Sequence, residues 1–149
     1  MLLEILIDKL IMEAMKAHDD VCKETFREIK KYFSEWKTDE KNVGKEFNEV
    51  AAQEVLVKLF FTYKGAIKDF KKQKRDDLVA SYEPQLAIIS TLVPPEPTEE
   101  QIHKTLNDIF EEGQIEKSKK NMSKFINRIK EIHPTVDGAL AAQIIARSL

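Results

Sequence analysis

The sequence predicts an all-α fold, and three observations lead to this prediction. Apolar residues recur at intervals of three and four along most of the 149 residues, a spacing that places them on one face of a helix. Only four glycines are present, and no strand pattern competes with the helical spacing. Three prolines fall within residues 94–97, where no helix can continue. We therefore expect a four-helix N-terminal part over 1–93, a Pro-rich hinge over 94–97 and a three-helix C-terminal part over 98–149.

The first two helices are expected at about residues 2–17 and 21–37. The first is apolar over so wide an arc that we expect it to pack against more than one neighbour. The pair Asp19-Asp20 can cap the second helix, because carboxylates accept hydrogen bonds from the free N–H groups at a helix start. One face of the second helix is apolar, formed by Cys22, Phe26, Ile29, Phe33 and Trp36. This stripe predicts that Cys22 is a buried hydrophobe rather than a nucleophile, and that Trp36 is part of the core.

A surface loop is expected over 38–47, because charged residues mix there with asparagine and glycine without any period. Asn48 can then cap the longest helix, at about 49–74. One side of this helix is apolar and the other is basic. Phe61 breaks the pattern, because its helical position falls among the lysines. It is interpreted either as a contact with another helix or subunit, or as an aromatic that stacks on a base within a basic surface.

The fourth helix is expected at about 77–92, with the pair Asp76-Asp77 as its caps. Pro84 lies inside it, and because the proline ring clashes with the carbonyl of the preceding turn, we expect a kink or a break there. Helices are expected after the hinge at about 98–112, at about 119–132 and in the last segment. The residues expected to begin or end these three helices are Thr98 with Gln101 as a capping box, Gly113, Ser118, Pro134 and Asp137.

Composition limits the function classes. One cysteine and three scattered histidines do not give the short ligand spacings of a structural zinc site, and the isolated glycines form no phosphate-binding loop. Carboxylate pairs fall mostly at helix ends, where capping accounts for them. No apolar run is long enough to span a membrane, and the start of the chain, with Glu4 and Asp8, does not resemble a signal peptide. We expect a cytoplasmic protein without metal or cofactor and without a catalytic site.

Two basic helix faces remain as candidate sites. Lys and Arg stripes bind nucleic-acid phosphates through counterion release and carry little sequence information, although a charged stripe opposite an apolar one is also typical of a solvated face. The net charge of −2 means that any nucleic-acid role depends on such local patches. The candidate residues are Lys64, Lys68, Lys72 and Arg75 on the third helix, and Lys117, Lys120, Lys124 and Arg128 on the sixth.

Several short motifs along almost the whole chain resemble the GatB/YqeY domain family, small all-helical proteins similar to the tail of the GatB subunit of tRNA-dependent amidotransferases. The motifs, in order, are Ala66-Ile67-Lys68-Asp69-Phe70, Arg75-Asp76-Asp77-Leu78, Leu92-Val93-Pro94 before Thr98-Glu99-Glu100, Met122-Ser123-Lys124 and Val136-Asp137-Gly138. The resemblance implies a four-helix part followed by a three-helix part. It also implies a role in holding tRNA, whereas any carbon–nitrogen ligase activity with glutamine as amido donor would be inherited from the family label.

The chain departs from the family pattern at some positions. Phe61-Thr62-Tyr63-Lys64 replaces a basic and polar run, which removes two cations from the third helix. Ser123 and Asn127 replace glycines, and Ala139 stands where a lysine is common. These departures weaken the tRNA-binding interpretation and keep a protein partner as the alternative. The sequence therefore supports two hypotheses, a tRNA-binding accessory module or a protein-interaction module using an apolar patch near Phe61 and Val57, and it offers no constellation for a third, an enzyme.

Overall fold

The computed structural model describes residues 2–149, and within them the fold is all-α, with seven α-helices and no strand. The helices are α1 (Leu2–Lys16), α2 (Asp20–Thr38), α3 (Glu49–Lys72), α4 (Asp76–Ser90), α5 (Glu99–Glu112), α6 (Met122–Ile132) and α7 (Gly138–Ser148). Short 3₁₀ turns lie at Glu40–Asn42 and Lys119–Asn121. The chain divides into two compact units, the first ending at Val93 and the second formed by Pro94–Leu149. Motion about a hinge over 94–97 stays a prediction.

The first unit contains α1 to α4 around one apolar core. In it, α1 packs against α2 and α3, and α3 packs against α4. Its largest fully buried side chains are Phe33, Ile7, Ile29, Leu56 and Ile89. The helix α1 supplies few of these, because its wide apolar arc exceeds what two neighbouring helices cover. Leu6 and Met15, which lie on this apolar arc, are exposed.

The second unit contains α5 to α7 around a separate core. Phe125 and Ile129 of α6 are fully buried against α5 and α7, together with Ile102, Leu106, Ile144 and Ile145. Two buried threonines are satisfied by hydrogen bonds. Thr135 Oγ1 donates to the carbonyl of Pro95 at 3.0 Å, and Thr105 Oγ1 lies 2.8 Å from Nε2 of His133.

Most helix ends follow the sequence predictions. Asp19, Asn48 and Asp137 accept hydrogen bonds from backbone N–H groups at the starts of α2, α3 and α7. Thr98 and Gln101 form both hydrogen bonds of a capping box. Gly113 closes α5 at φ 68°, in the left-handed region where glycine has no steric cost. These predictions are confirmed because each depends only on groups within a few residues of one another.

Two other capping predictions are wrong. The helix α4 begins at Asp76 with Arg75 in the N-cap position, and no side chain caps it, because the Asp77 carboxylate is bonded to the Arg75 guanidinium instead. Ser118 caps no α-helix, since a 3₁₀ turn follows it and α6 starts only at Met122. The buried Asn121 holds this turn by donating to the carbonyl of Glu116 at 2.8 Å.

Pro84 does not break α4, which continues from Asp76 to Ser90, so the break is wrong as an expectation, and a kink at this position stays a prediction. The proline ring is exposed, and packing holds the helix on both sides of it. Before the proline, the Tyr82 ring contacts the rings of Tyr63 and Phe70, and after it Ile89 is fully buried. A single lost backbone hydrogen bond does not outweigh these contacts.

The helices α1 and α3 each end in a tight corner of the same type. His18 and Lys74 each adopt the left-handed conformation, with φ 54° and 56°. At the first corner the N–H of Asp19 donates to the carbonyl of Ala14 at 2.9 Å. At the second corner the N–H of Arg75 donates to the carbonyl of Phe70, also at 2.9 Å. This is the six-to-one hydrogen bond that satisfies the free carbonyls at a helix end.

Candidate functional site

The lysine-rich segment of the second unit lies in ordered backbone. The buried residues Phe125 and Ile129 hold one face of α6 against the core, and the flank of this face carries the exposed Lys124 and the half-buried Arg128. The 3₁₀ turn before α6, held by Asn121, carries Lys119 and Lys120. The four predicted residues of this stripe therefore lie along one continuous stretch of structure, 117–128.

Part of this stripe is already paired with protein groups. Lys120 lies 3.6 Å from a Glu116 oxygen. Arg128 contacts Glu131 at 3.1 Å and Glu112 at 4.0 Å. Such exposed ion pairs contribute about 0–1 kcal/mol each, so a phosphate can replace the carboxylate at small cost.

Lys117, Lys119 and Lys124 have no carboxylate within ion-pairing distance among residues 2–149. The Lys117 ammonium lies over the Phe110 ring, 4.6 Å from its centroid, which is within the range of a cation–π contact. Sequence reasoning missed Lys119, because it placed this residue in a regular helix rather than in a 3₁₀ turn. The density of lysine over 117–124 was the signal that could have identified it.

The second candidate set lies in the first unit, on α3 and at its corner with α4: Arg75, expected on the third helix, is the N-cap residue of α4. Lys68 and Lys72 are exposed, and Lys64 Nζ lies 5.6 Å from the Phe60 ring centroid. Arg75 bonds Asp77 through two nitrogens, at 3.3 and 3.2 Å. This guanidinium lowers the pKa of the Asp77 carboxyl below its ordinary value. The pair is fully exposed, so it remains open to competition from another anion.

The apolar patch predicted around Phe61 is small. Phe61 is 37% exposed, and its ring meets the edge of Phe60 at 5.3 Å. Val57 is half-buried and packs against the core of the first unit. More exposed apolar side chains lie elsewhere: Val43 and Val50 are more than half exposed, and so are three side chains of α1, Leu2, Ile5 and Met12. The sequence analysis assigned no site to α1.

The chemistry of the remaining groups is limited. Within residues 2–149 no three His, Cys, Asp or Glu side chains are close enough to hold a metal ion. Cys22 is half-buried rather than fully buried, and its hydrogen bond to Asp19 raises the pKa of its thiol, which opposes nucleophilic reactivity. Trp36 is also half-buried, contrary to the expectation of a core residue. No helix in this part of the chain is long and apolar enough to cross a membrane.

Comparison with known proteins agrees with the family resemblance of the motifs. A mitochondrial protein of Vanderwaltozyma polyspora named altered inheritance of mitochondria protein 41 is 29% identical over an alignment of 116 residues, with a coverage of 73% of this chain and 62% of that relative. The chain thus matches less than two thirds of the length of that curated relative. Residues 5–149 match the family described as Yqey-like protein. Because this match covers nearly the whole sequence, the chain belongs to the YqeY-like protein family.

Proposed function

We propose that the chain is a tRNA-binding accessory module that contacts RNA through the stripe 117–128. The observation behind this proposal is the density of lysine in an ordered segment. Lys117, Lys119, Lys120 and Lys124 fall within eight residues, and only Lys120 is paired with a carboxylate in the described structure. Phosphates of a folded RNA are the partner that such a surface suits, because lysine ammonium groups act as unspecific point charges toward them.

The resemblance to the tail of tRNA-dependent amidotransferases favours tRNA among RNAs. In this proposal the module holds tRNA while another protein carries out the amide transfer, and any carbon–nitrogen ligase label is inherited from the family. The exposed residues Lys68 and Lys72 of α3, with Arg75 at the start of α4, form a second, independent set of phosphate contacts in the first unit. A cytoplasmic location stays a prediction, since the name of the relative places that protein in mitochondria.

The test is a gel shift with bulk tRNA over a series of salt concentrations, using the double variant Lys120→Glu and Lys124→Glu. Loss of two phosphate contacts should weaken binding by about tenfold or more and reduce the slope of log K against log salt by roughly 1.5 to 2. The matched control is Lys9→Glu with Lys16→Glu on α1, which changes the net charge equally. No binding at low salt, or an equal loss in the control, would contradict this site.

The exposure of Phe61 supports a second candidate function, a protein-interaction surface. An exposed aromatic side chain is the kind of anchor found at interface centres. Light scattering at two protein concentrations measures whether the chain self-associates, with Phe61→Ser as the comparison. A mass that does not change with concentration would exclude self-association through this residue.

We also propose that residues 94–97 form a stiff spacer. Val93 packs in the core of the first unit, and the Pro95 carbonyl is bonded to Thr135 of the second, so the flexible part of the spacer is short. Amide exchange across 92–98 and spin-label distances between the units measure its motion. A single narrow distance distribution would rule out relative mobility.

A further inference from the structure

A cavity of about 220 Å³ lies between α2 and α3, apart from both basic faces. Successive turns of α2 contribute Tyr32, Glu35 and Trp36, and Asp39 follows the end of that helix. The α3 side contributes Val55, Lys58, Leu59 and Thr62. The cavity is smaller than the roughly 300–1,000 Å³ of small-molecule sites, so its size suits one side chain rather than a cofactor.

The α2 wall of the cavity combines two aromatic rings with two carboxylates. Trp36 is held in place, because its ring packs against Phe47 at 5.1 Å and its carbonyl accepts a hydrogen bond from Asn42 at 2.9 Å. One Asp39 oxygen accepts the N–H of Lys41 at 3.0 Å, which leaves the other oxygen available. Aromatic faces and carboxylates together favour a cation, and a planar guanidinium suits both.

Two lysines oppose a cation in this cavity and must be accounted for. Lys31 lies 3.9 Å from Glu35 and 3.6 Å from Glu28, so it can release Glu35 and remain paired. Lys58 makes no ion pair with any of residues 2–149, and it belongs to the α3 side of the lining, whereas both carboxylates belong to the α2 side. An ammonium in that position can donate to a neutral peptide carbonyl.

We propose that this cavity binds an arginine side chain of a partner polypeptide. The guanidinium stacks on Trp36 and pairs with Glu35 and Asp39. The methylene stem lies on Val55 and Leu59, as long cationic side chains do on apolar surface. The peptide carbonyls of the arginine residue face Lys58. This role goes beyond RNA binding and does not depend on it, since no residue of the stripe 117–128 takes part.

The test uses two blocked tripeptides, one with arginine between two glycines and one with citrulline in its place, which has the same shape without the charge. Trp36 is the only tryptophan of the chain, so its fluorescence reports on this cavity, and amide shifts in NMR spectra give a second readout. We expect saturable binding of the arginine peptide with a Kd on the order of 1 mM, about −4 kcal/mol. Binding of the citrulline peptide should be at least tenfold weaker.

The double variant Glu35→Gln with Asp39→Asn should weaken binding of the arginine peptide by about tenfold, and asparagine can still cap the 3₁₀ turn. The control is Glu24→Gln, an exposed position about 16 Å away along α2, which should leave the affinity unchanged. Equal binding of the two peptides, no spectral change up to about ten times the expected Kd, or an unaltered affinity in the double variant would each overturn the proposal. A failure of tRNA binding would contradict the proposed function but not this proposal of an arginine-binding cavity.

Discussion

The helices α1 and α6 show that a larger share of apolar residues does not bury more side chains: ten of 15 residues are apolar in α1 and five of 11 in α6, yet each helix buries two of them. In α6, buried and charged residues occupy separate faces, with Phe125 and Ile129 inside and Lys124 outside. In α1 only Ile7 and Ala14 are buried, while Leu2, Ile5 and Met12 are more than half exposed. The comparison shows that the angular order of apolar residues, and not their number, determines what a helix contributes to a core.

The largest expected effect is at the core of the second unit. Phe125→Ala removes a fully buried ring that contacts the Phe110 ring edge-on at 5.3 Å, and should cost about 3–5 kcal/mol in the free energy of unfolding because a cavity remains. Denaturant unfolding followed by circular dichroism measures it. A loss below about 1 kcal/mol would mean that this core is loosely packed and that the contrast with α1 is overstated.

An intermediate effect is expected at a helix start. Thr98→Ala removes the capping box of α5 and should cost about 1 kcal/mol. Asp76→Ala at the start of α4 should cost less, because no side chain there caps the helix. Thermal unfolding of both variants compares the two helix starts directly, and equal shifts in Tm would contradict the capping assignment.

A small effect is expected on the outer face of α1. Ile5→Ser changes a side chain that is 64% exposed, so the free energy of unfolding should change by no more than about 0.5 kcal/mol. The neighbouring Ile7→Ala should cost about 2–5 kcal/mol, because Ile7 is buried. If both variants lost similar stability, the outer face of α1 would have to be covered in solution.

The smallest effect concerns pH. Hydrogen bonds from the backbone and thiol of Cys22 lower the pKa of Asp19 in the folded chain. Its contribution to stability is therefore present above the ordinary carboxyl pKa and is lost as the pH falls through the lowered value. Asp19→Asn keeps a capping side chain but cannot titrate, so its stability should fall less than that of the wild type below about pH 4. The measurement is the free energy of unfolding in urea, taken at several pH values for the wild type and for Asp19→Asn. An equal loss in both proteins as the pH falls would contradict this role.

The fold class followed from the sequence because helical periodicity and caps are local. Gly113 and Thr98 needed only their neighbours to be interpreted correctly. Where tertiary contacts decide, the sequence was insufficient. The sequence did not show that packing on both sides of Pro84 would keep α4 helical. It also did not show that the Arg75 guanidinium would pair with the Asp77 carboxylate.

The candidate sites divide in the same way. The stripe 117–128 could be predicted as a row of cations, but the ion pair of Arg128 with Glu112 depends on how α5 packs beside α6. The cavity beside Trp36 could not be predicted, since it depends on the spacing of α2 and α3. The spacing of apolar residues along α2 predicted only that Trp36 lies on an apolar face. The packing of the helices showed that its ring is half-buried.

The corners at His18 and Lys74 bear on the order of events in folding. Each joins two antiparallel neighbours through a few residues, so the contacts of α1 with α2 and of α3 with α4 are close in sequence. Loops this short close on a time scale of tens of nanoseconds, and chains dominated by local contacts reach the native state in microseconds to milliseconds. The two hairpins of the first unit can therefore form independently, which leaves their docking against each other as the slower step.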